Sequence, residues 1–226
     1  MSHFEQELLE LKNSLLTMAS HAEAAVKQAV KALITRDYDL ARAVHAGDAV
    51  IDRFEVELDE MAIRLLAKAP LASDLRLIAV AMKISQNLER VGDEGTKIAK
   101  RARDLSQEPP LKLNLEIPQL ADLALGMLKR ALDAFVVRDA PAARALIPQD
   151  KEVDALNKKI HEQVAAHMMQ HPETVTRCLH LLVVAKSLER IADHAKNVAE
   201  EVVYLCEAED IRHSGPAKTG RTPVEQ

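Results

Sequence analysis

Four pairs of carboxylates recur along the sequence with the same spacing. In each pair the acids stand four residues apart, and the pairs are Asp48/Asp52, Glu89/Asp93, Asp150/Asp154 and Glu189/Asp193. On a helix this spacing stacks like charges one turn apart, which destabilises the helix by about 0.2–0.5 kcal/mol per pair. A bound cation would offset that repulsion, and carboxylate oxygens suit hard or borderline divalent ions. The pairs therefore predict metal binding, with a plain solvated helix face as the alternative.

Three further side chains stand near these pairs in the sequence and could add metal ligands. His161 lies seven residues beyond Asp154, where the first half of the chain has Asp59, and His194 directly follows Asp193. Imidazole nitrogen extends the choice of metal to zinc and iron. Histidines on exposed helix faces need no special role, so each one alone is weak evidence for a ligand.

The composition predicts an all-α protein of the cytoplasm. Apolar residues make up 48% of the 226 residues and charged residues 29%, whereas aromatic residues make up 2%. Sheets favour aromatic and β-branched residues, while helices favour Ala and Leu. No apolar run reaches membrane-spanning length, and no signal-peptide core is present. Cys178 and Cys206 form no metal-type CxxC pair, and two thiols in so long a chain indicate a reducing compartment. The net charge of −5 argues against a nucleic-acid binder, which would carry a basic surface.

Apolar spacing and helix-breaking residues predict six helices. The predicted spans are approximately 5–36, 37–68, 73–107, 118–138, 139–172 and 174–211. Asp37 and Asp139 stand where they can cap the second and fifth helices. The proline-containing segment 108–117 predicts a linker, and the polar residues 212–226 predict a disordered tail.

The two halves of the chain repeat each other. Asp48 and Asp52 recur 102 residues later, and Glu89 and Asp93 recur 100 residues later. This repeat predicts two tandem, pseudo-symmetric antiparallel three-helix bundles, one within residues 1–107 and one within 118–211. On the third helix the apolar residues alternate steps of four and three, and they are Leu77, Ala81, Ile84, Leu88, Val91, Gly95, Ile98, Ala102 and Leu105. All four carboxylate pairs fall outside the apolar stripes of their helices, so we expect them on an outer surface.

Several segments resemble one known family. The motif E-R-[VI]-[GA]-D occurs in both halves, within LERVGDEGTKIA and LERIADHAKNVA, and PLASDLRLIAVAMKISQNLER contains the start of the first copy. With the length and the duplicated pattern, these segments make residues 4–213 resemble the PhoU family. Two features depart from the family pattern. Ala192 stands where the family usually has Gly, and the second half has ETVTRCL instead of an ASDLR segment.

The resemblance implies a metal site and a regulatory role. It implies multinuclear iron or zinc clusters, or another divalent or trivalent metal, at the four acidic pairs. It implies a cytoplasmic negative regulator of the phosphate-starvation response. Such a protein connects the ATPase subunit of the phosphate ABC transporter to a sensor histidine kinase, and it reaches the membrane only through these partners. A homodimer and a partner contact at Asp74 and Arg76 are further expectations.

Three alternatives make different demands on the sequence. A di-iron carboxylate oxidase needs Glu-x-x-His on its helices, and no His in the sequence has Glu three residues before it. A histidine phosphotransfer bundle would use His194 or His180, but the first half has Glu94 at the position of His194. A metal-free helical adaptor shares the fold and the regulatory role. No nucleophile–base pair or glycine-rich phosphate loop is present, so we expect no enzymatic activity.

Overall fold

The computed structural model describes residues 2–69 and 71–212, and this part of the chain consists of helices with no β-strand. Its seven α-helices are α1 (His3–Thr35), α2 (Tyr38–Leu66), α3 (Ala72–Ser106), α4 (Ile117–Val137), α5 (Ala140–Leu146), α6 (Asp150–Gln170) and α7 (Val175–Glu207). The first three form the first repeat, and the last four form the second. The all-α fold class is confirmed.

Each repeat turns between its first two helices in the same way. Arg36 ends α1 in the left-handed conformation with φ 56°, and Asp37 accepts a hydrogen bond from the backbone N–H three residues on. Arg138, with φ 55°, and Asp139 repeat this turn after α4. An Asp cap satisfies an N–H group that has no partner inside the helix. Both predicted caps are therefore confirmed.

The prediction of one continuous fifth helix is wrong, because this helix is interrupted. A 3-10 turn at Ile147–Gln149 separates α5 from α6. Pro148 lies in this turn, and a proline inside a helix lacks the N–H donor and clashes with the carbonyl four residues before it. A second 3-10 turn, Pro172–Thr174, precedes α7. The helix α7 also ends at Glu207, four residues earlier than predicted.

The two repeats share one hydrophobic core because α3 packs antiparallel to α7. The antiparallel order follows from the contacts: Lys83 near the start of α3 pairs with Glu201 near the end of α7, and Glu94 pairs with Arg190. The whole predicted apolar stripe of α3 is buried. A second buried face of α3, which includes Ser85 and Glu94, was not predicted and lies against other helices of the core.

The segment between α3 and α4 lies against the helices. Leu111, Leu113 and Leu115 pack on the core, and Arg177 donates a hydrogen bond to the Pro109 carbonyl at 2.8 Å. The predicted tail is residues 212–226. Arg212 lies within the described residues, and the other residues of the tail lie outside them. Across those ranges, no helix combines the length and the apolar character needed to cross a bilayer.

Candidate functional site

The carboxylates of the first repeat converge between α2 and α3. We call Asp48, Asp52 and Glu55 of α2, with Glu89 and Asp93 of α3, the first acidic cluster. The charge of Asp93 acts on Asp48, on Glu55 and on Glu89, so the α3 carboxylates lie beside those of α2. Two pairs that are 41 residues apart in the sequence thus form one site.

The first acidic cluster concentrates negative charge in a partly buried place. Burial raises the pKa of Asp48, and the charges of Asp52 and Asp93 raise it further, although the nearby Thr96 hydroxyl opposes this rise. Burial also raises the pKa of Glu89, with Asp93 as the next cause. Because a raised carboxyl pKa reflects an environment that disfavours the anion, this cluster favours an added cation.

Arg90 gives the first acidic cluster a partial counter-charge. Its Nε lies 3.2 Å from Glu89 Oε2, and its Nη1 lies 3.5 Å from Asp93 Oδ2. The arginine side chain is 63% exposed, so water screens these ion pairs and each contributes little. Arg90 therefore leaves most of the repulsion among the carboxylates of this cluster in place.

The carboxylates of the second repeat also converge, between α6 and α7. We call Asp150 and Asp154 of α6, with Glu189 and Asp193 of α7, the second acidic cluster. Burial raises the pKa of Asp154 and that of Asp193, and the charges of Asp150 and Glu189 raise both further. Asp150 departs from the predicted outward position: it is buried, since it follows the 3-10 turn where α6 begins against α7.

Two lysines lie within the second acidic cluster. Lys196 Nζ donates a hydrogen bond to Asp150 Oδ2 at 2.8 Å, and Lys186 forms an ion pair with Glu189. The hydrogen bond with Asp150 raises the pKa of Lys196, which keeps it charged. The other oxygen of Asp150, Oδ1, is buried and has no hydrogen-bond partner. The two lysines therefore offset part of the charge of the four carboxylates in the second acidic cluster.

The three additional ligands suggested by the sequence have different positions. Asp59 lies at the edge of the first acidic cluster, where its charge acts on Glu55. The Nδ1 atom of His161 lies 2.9 Å from the Asn157 carbonyl oxygen of its own helix. The Nδ1 atom of His194 lies 3.0 Å from Asn87 Oδ1 on α3, so its ring faces the contact between the repeats rather than the second acidic cluster. The structure therefore brings Asp59, but not His194, to an acidic cluster.

The proposed partner-contact residues lie at the start of α3. Arg76 is half-buried, and its Cζ atom stands 5.7 Å from the centre of the Tyr204 ring of α7. Asp74 is also half-buried in the first turn of the helix. Arg76 thus has a cation–π contact inside the protein as well as a surface that a partner could reach.

Glu55, Lys186 and Lys196 belong to these sites but were missed from the sequence. Glu55 stands seven residues after Asp48, so both occupy the same helix face, and this spacing could have identified it. Lys186 and Lys196 each stand three residues from a predicted ligand, which is the spacing of a helical ion pair. The metal site was predicted from the carboxylate pairs alone, without considering the cations beside them.

Oxygen donors make the first acidic cluster suitable for a hard or borderline cation. As the side chains stand in residues 2–69 and 71–212, no three His, Cys, Asp or Glu residues are arranged to hold one ion. The cluster thus has the residue types that a cation prefers, but its carboxylates are not arranged around a single ion.

Known proteins similar to this chain were found by sequence. A family model described as "PhoU domain" matches residues 15–102 and 117–202. The phosphate-specific transport system accessory protein PhoU homolog of Pseudomonas putida is 40% identical over 94% of this chain and 84% of its own length. The corresponding homolog of Rhizobium meliloti is 39% identical over 91% and 87%. The protein named PhoU of Escherichia coli K12 is 36% identical over 94% and 88%.

Two crystal structures are similar to the whole fold. PhoU from Pseudomonas aeruginosa superposes with a TM-score of 0.88 at 38% identity, covering 92% of this chain and 100% of that one. The phosphate transport system regulatory protein PhoU from Streptococcus pneumoniae gives a TM-score of 0.86 at 28% identity, covering 92% and 99%. Both likenesses extend across the two repeats.

Proposed function

The chain belongs to the PhoU family, and on this premise we propose that it is a negative regulator of the phosphate-starvation response. One observation carries the proposal: similarity at 36–40% identity extends over nearly the whole length of proteins named for a phosphate-specific transport system. Members of the family are accessory regulatory proteins and not enzymes. The proposed role accordingly requires surfaces that partners recognise and requires no catalysis.

We propose two partners that make this regulation possible. They are the ATPase subunit of the phosphate ABC transporter and the cytoplasmic region of a sensor histidine kinase. The names of the relatives support an association with the transport system, and the kinase follows from the family resemblance. The protein would act in the cytoplasm as a homodimer, without binding nucleic acid, and would approach the membrane through these partners.

We also propose that the protein binds a divalent or trivalent metal, with iron and zinc as the candidates. The support is the first acidic cluster, in which partly buried carboxylates from two helices repel one another. When bound, the metal would supply positive charge that holds α2 and α3 together at this point. A metal-free adaptor is the alternative, and it would have the same fold and partners.

A histidine phosphotransfer function is less well supported. His194 is half-buried and lies against Asn87, and His180 Nδ1 stands 3.5 Å from Arg101 Nη1. A phosphorylated histidine must be open to a kinase and to a receiver, whereas both of these rings lie at the contact between α3 and α7. We therefore keep the regulatory adaptor as the proposed function.

A deletion strain tests the regulatory role. Cells lacking the protein should express phosphate-starvation genes in ample phosphate, and a copy of the gene should restore repression. Reporter expression in high and low phosphate measures this directly. Normal repression in the deletion strain would show that the regulatory proposal is wrong.

Pull-down experiments test the partners and the Arg76 contact. The transporter ATPase subunit and the cytoplasmic region of the kinase should each retain the protein. Arg76→Glu should weaken one of these complexes if that helix end is the contact. The control is Tyr204→Leu, which removes the cation–π contact but leaves the arginine. Equal weakening by both variants would mean that packing between the repeats, rather than a partner contact, explains the effect.

A further inference from the structure

We propose that the two acidic clusters are not equivalent: the first binds the metal, whereas in the second Lys186 and Lys196 take the place of a metal. The statement about the first acidic cluster rests on the metal binding proposed above. The statement about the second rests on contacts inside this protein. The two statements therefore fail separately and need separate tests.

Matched positions of the repeat differ in charge in both directions, and at His45/Ile147 and Lys100/Glu200 the second repeat is the less positive. Residues of α2 correspond to residues of α6 at an offset of 102, and those of α3 correspond to those of α7 at an offset of 100. Four other positions, in or beside the clusters, differ in the opposite sense, and the pairs are Glu55/Asn157, Asp59/His161, Gln86/Lys186 and Thr96/Lys196. In each pair the residue of the second repeat is less negative or more positive. The four differences therefore all reduce the need for a cation in the second repeat.

Lys196 occupies the position that a cation would take in the second acidic cluster. Its Nζ lies 2.8 Å from Asp150 Oδ2, its side chain is 32% exposed, and that of Asp150 is 11% exposed. Its charge also acts on Asp154 and on Asp193, one on each helix. Lys186 pairs with Glu189, whose side chain is 13% exposed. Lys196 of α7 thus pairs with a carboxylate of α6, while Lys186 pairs with a carboxylate of its own helix.

The first acidic cluster has no cation at the position that matches Lys196. Thr96 stands there, and its neutral hydroxyl lies beside Asp48. Gln86 stands where the second repeat has Lys186. Arg90 approaches from the solvent side and is 63% exposed. A metal ion entering this cluster would meet oxygen donors and no ammonium group.

A metal entering the second acidic cluster would have to displace Lys196. An ammonium group has three hydrogen-bond donors and no acceptor, so it competes with a metal for the same carboxylate oxygens. The displaced charge would remain on α7, where it would repel the ion. A metal would therefore gain the oxygens of Asp150 only after the ion pair between Lys196 and Asp150 is broken.

A reciprocal exchange of residues tests this proposal. In one variant Lys186→Gln and Lys196→Thr give the second repeat the residues of the first. In the other, Gln86→Lys and Thr96→Lys give the first repeat the residues of the second. Each full-length protein is purified without an affinity tag, equilibrated with Zn²⁺ or Fe²⁺, freed of excess ion and analysed for metal per chain. We expect the ratio to rise about two-fold in the first variant, because both clusters then offer oxygen donors, and to fall close to zero in the second.

Further variants locate the metal and control for the loss of charge. Glu89→Gln with Asp93→Asn should abolish binding to the wild-type cluster, whereas Asp154→Asn with Asp193→Asn should leave the ratio unchanged. Lys158→Thr removes an exposed lysine of α6 and should also leave it unchanged. A lower ratio in the Asp154/Asp193 variant would overturn the proposed division. So would a folded Lys186/Lys196 variant that binds no more metal than the wild type.

Thermal unfolding in chelator tests the lysines without any metal. The Lys186/Lys196 variant should melt below the wild type, and the Gln86/Thr96 variant should melt above it. If the wild type binds no metal but the Lys186/Lys196 variant does, the proposed metal role of the first cluster fails while the role of the lysines is supported. If neither binds metal and neither exchange shifts the melting temperature, both statements are wrong.

Discussion

Gly92 permits the close approach of α2 and α3 at the first acidic cluster. A Cβ atom added to Gly92 would lie 2.7 Å from Cδ1 and 3.3 Å from Cγ2 of Ile51, a residue of α2 that is 2% exposed. Gly92 precedes Asp93 in the sequence, and Asp52 follows Ile51. We predict that Gly92→Val pushes the two helices apart and separates these carboxylates. Gly92→Ala should be tolerated.

The expected magnitudes differ because of what each side chain meets. Alanine gains about 0.8–1.0 kcal/mol of helix propensity over glycine. Its closest contact is with the δ-methyl group at the end of the Ile51 side chain, which can rotate away. Valine adds two further methyl groups that rotation of one δ-methyl cannot accommodate, and overpacking of this kind costs about 1–3 kcal/mol. At about 2–4 °C per kcal/mol for a chain of this size, Gly92→Val should lower the melting temperature by roughly 2–12 °C.

Thermal unfolding of the chelated protein measures the packing, and metal content measures the position of the carboxylates. Gly47→Val is the matched control, since Gly47 is likewise a glycine inside a helix, here α2, but a Cβ there meets nothing within 4 Å. The control should melt close to the wild type and keep its metal. A Gly92→Val protein with wild-type melting and metal content would refute the reasoning, as would a Gly47→Val protein with an equal loss.

Three further outcomes follow from charges described above. Protein stripped of metal should melt below the metal-bound form at low salt, and the difference should shrink at high salt because salt screens exposed carboxylates. Burial raises the pKa of Glu55, so its ionised form destabilises the fold; Glu55→Gln should stabilise the metal-free protein at neutral pH, and urea unfolding should show the gain disappearing as pH falls through that raised pKa. Burial alone would raise the pKa of Glu94, but hydrogen bonds from Lys97 and Ser187 lower it. Glu94→Ala should therefore lower the free energy of unfolding by about 1.5–3 kcal/mol at neutral pH. The loss should become smaller once the pH falls below the ordinary pKa of glutamate, because the carboxyl group is then protonated. Lys97→Ala, which removes a partner that is 48% exposed, should cost less than about 1 kcal/mol.

Local patterns in the sequence predicted the helices well, because each depends on neighbouring residues. Asp37 and Asp139 cap their helices through a backbone N–H three residues away, and the apolar stripe of α3 is set by its own spacing. Pro148 could also have been read from the sequence as a helix break. The pairing of α3 with α7 could not be predicted from the sequence, because it joins residues about 100 positions apart. Their side chains are small or polar, so in the sequence they look like a helix face exposed to solvent.

The candidate site was predicted in its residue types but not in its electrostatics. The recurring acid pairs identified the two faces that converge between neighbouring helices. The burial of Asp150 depends on the 3-10 turn before α6, and the ion pair of Lys196 with it spans two helices. Such contacts depend on tertiary packing, so spacing within one helix does not reveal them. His194 shows the same limit: its sequence neighbour is Asp193, but its spatial neighbour is Asn87.

The antiparallel contact of α3 with α7 has a consequence for how this protein can change over evolutionary time. Asn87 faces His194, and at the equivalent place on the other side of the pseudo-two-fold axis Ser187 faces Glu94. In a dimer of identical subunits both places would carry the same pair of residues, and every mutation would occur twice. Fusion of the two units into one polypeptide lifts that restriction. Each half can then acquire its own charges, as at the matched positions where the first half has neutral Thr96 and the second has Lys196. The contact between α3 and α7 meanwhile keeps the halves together.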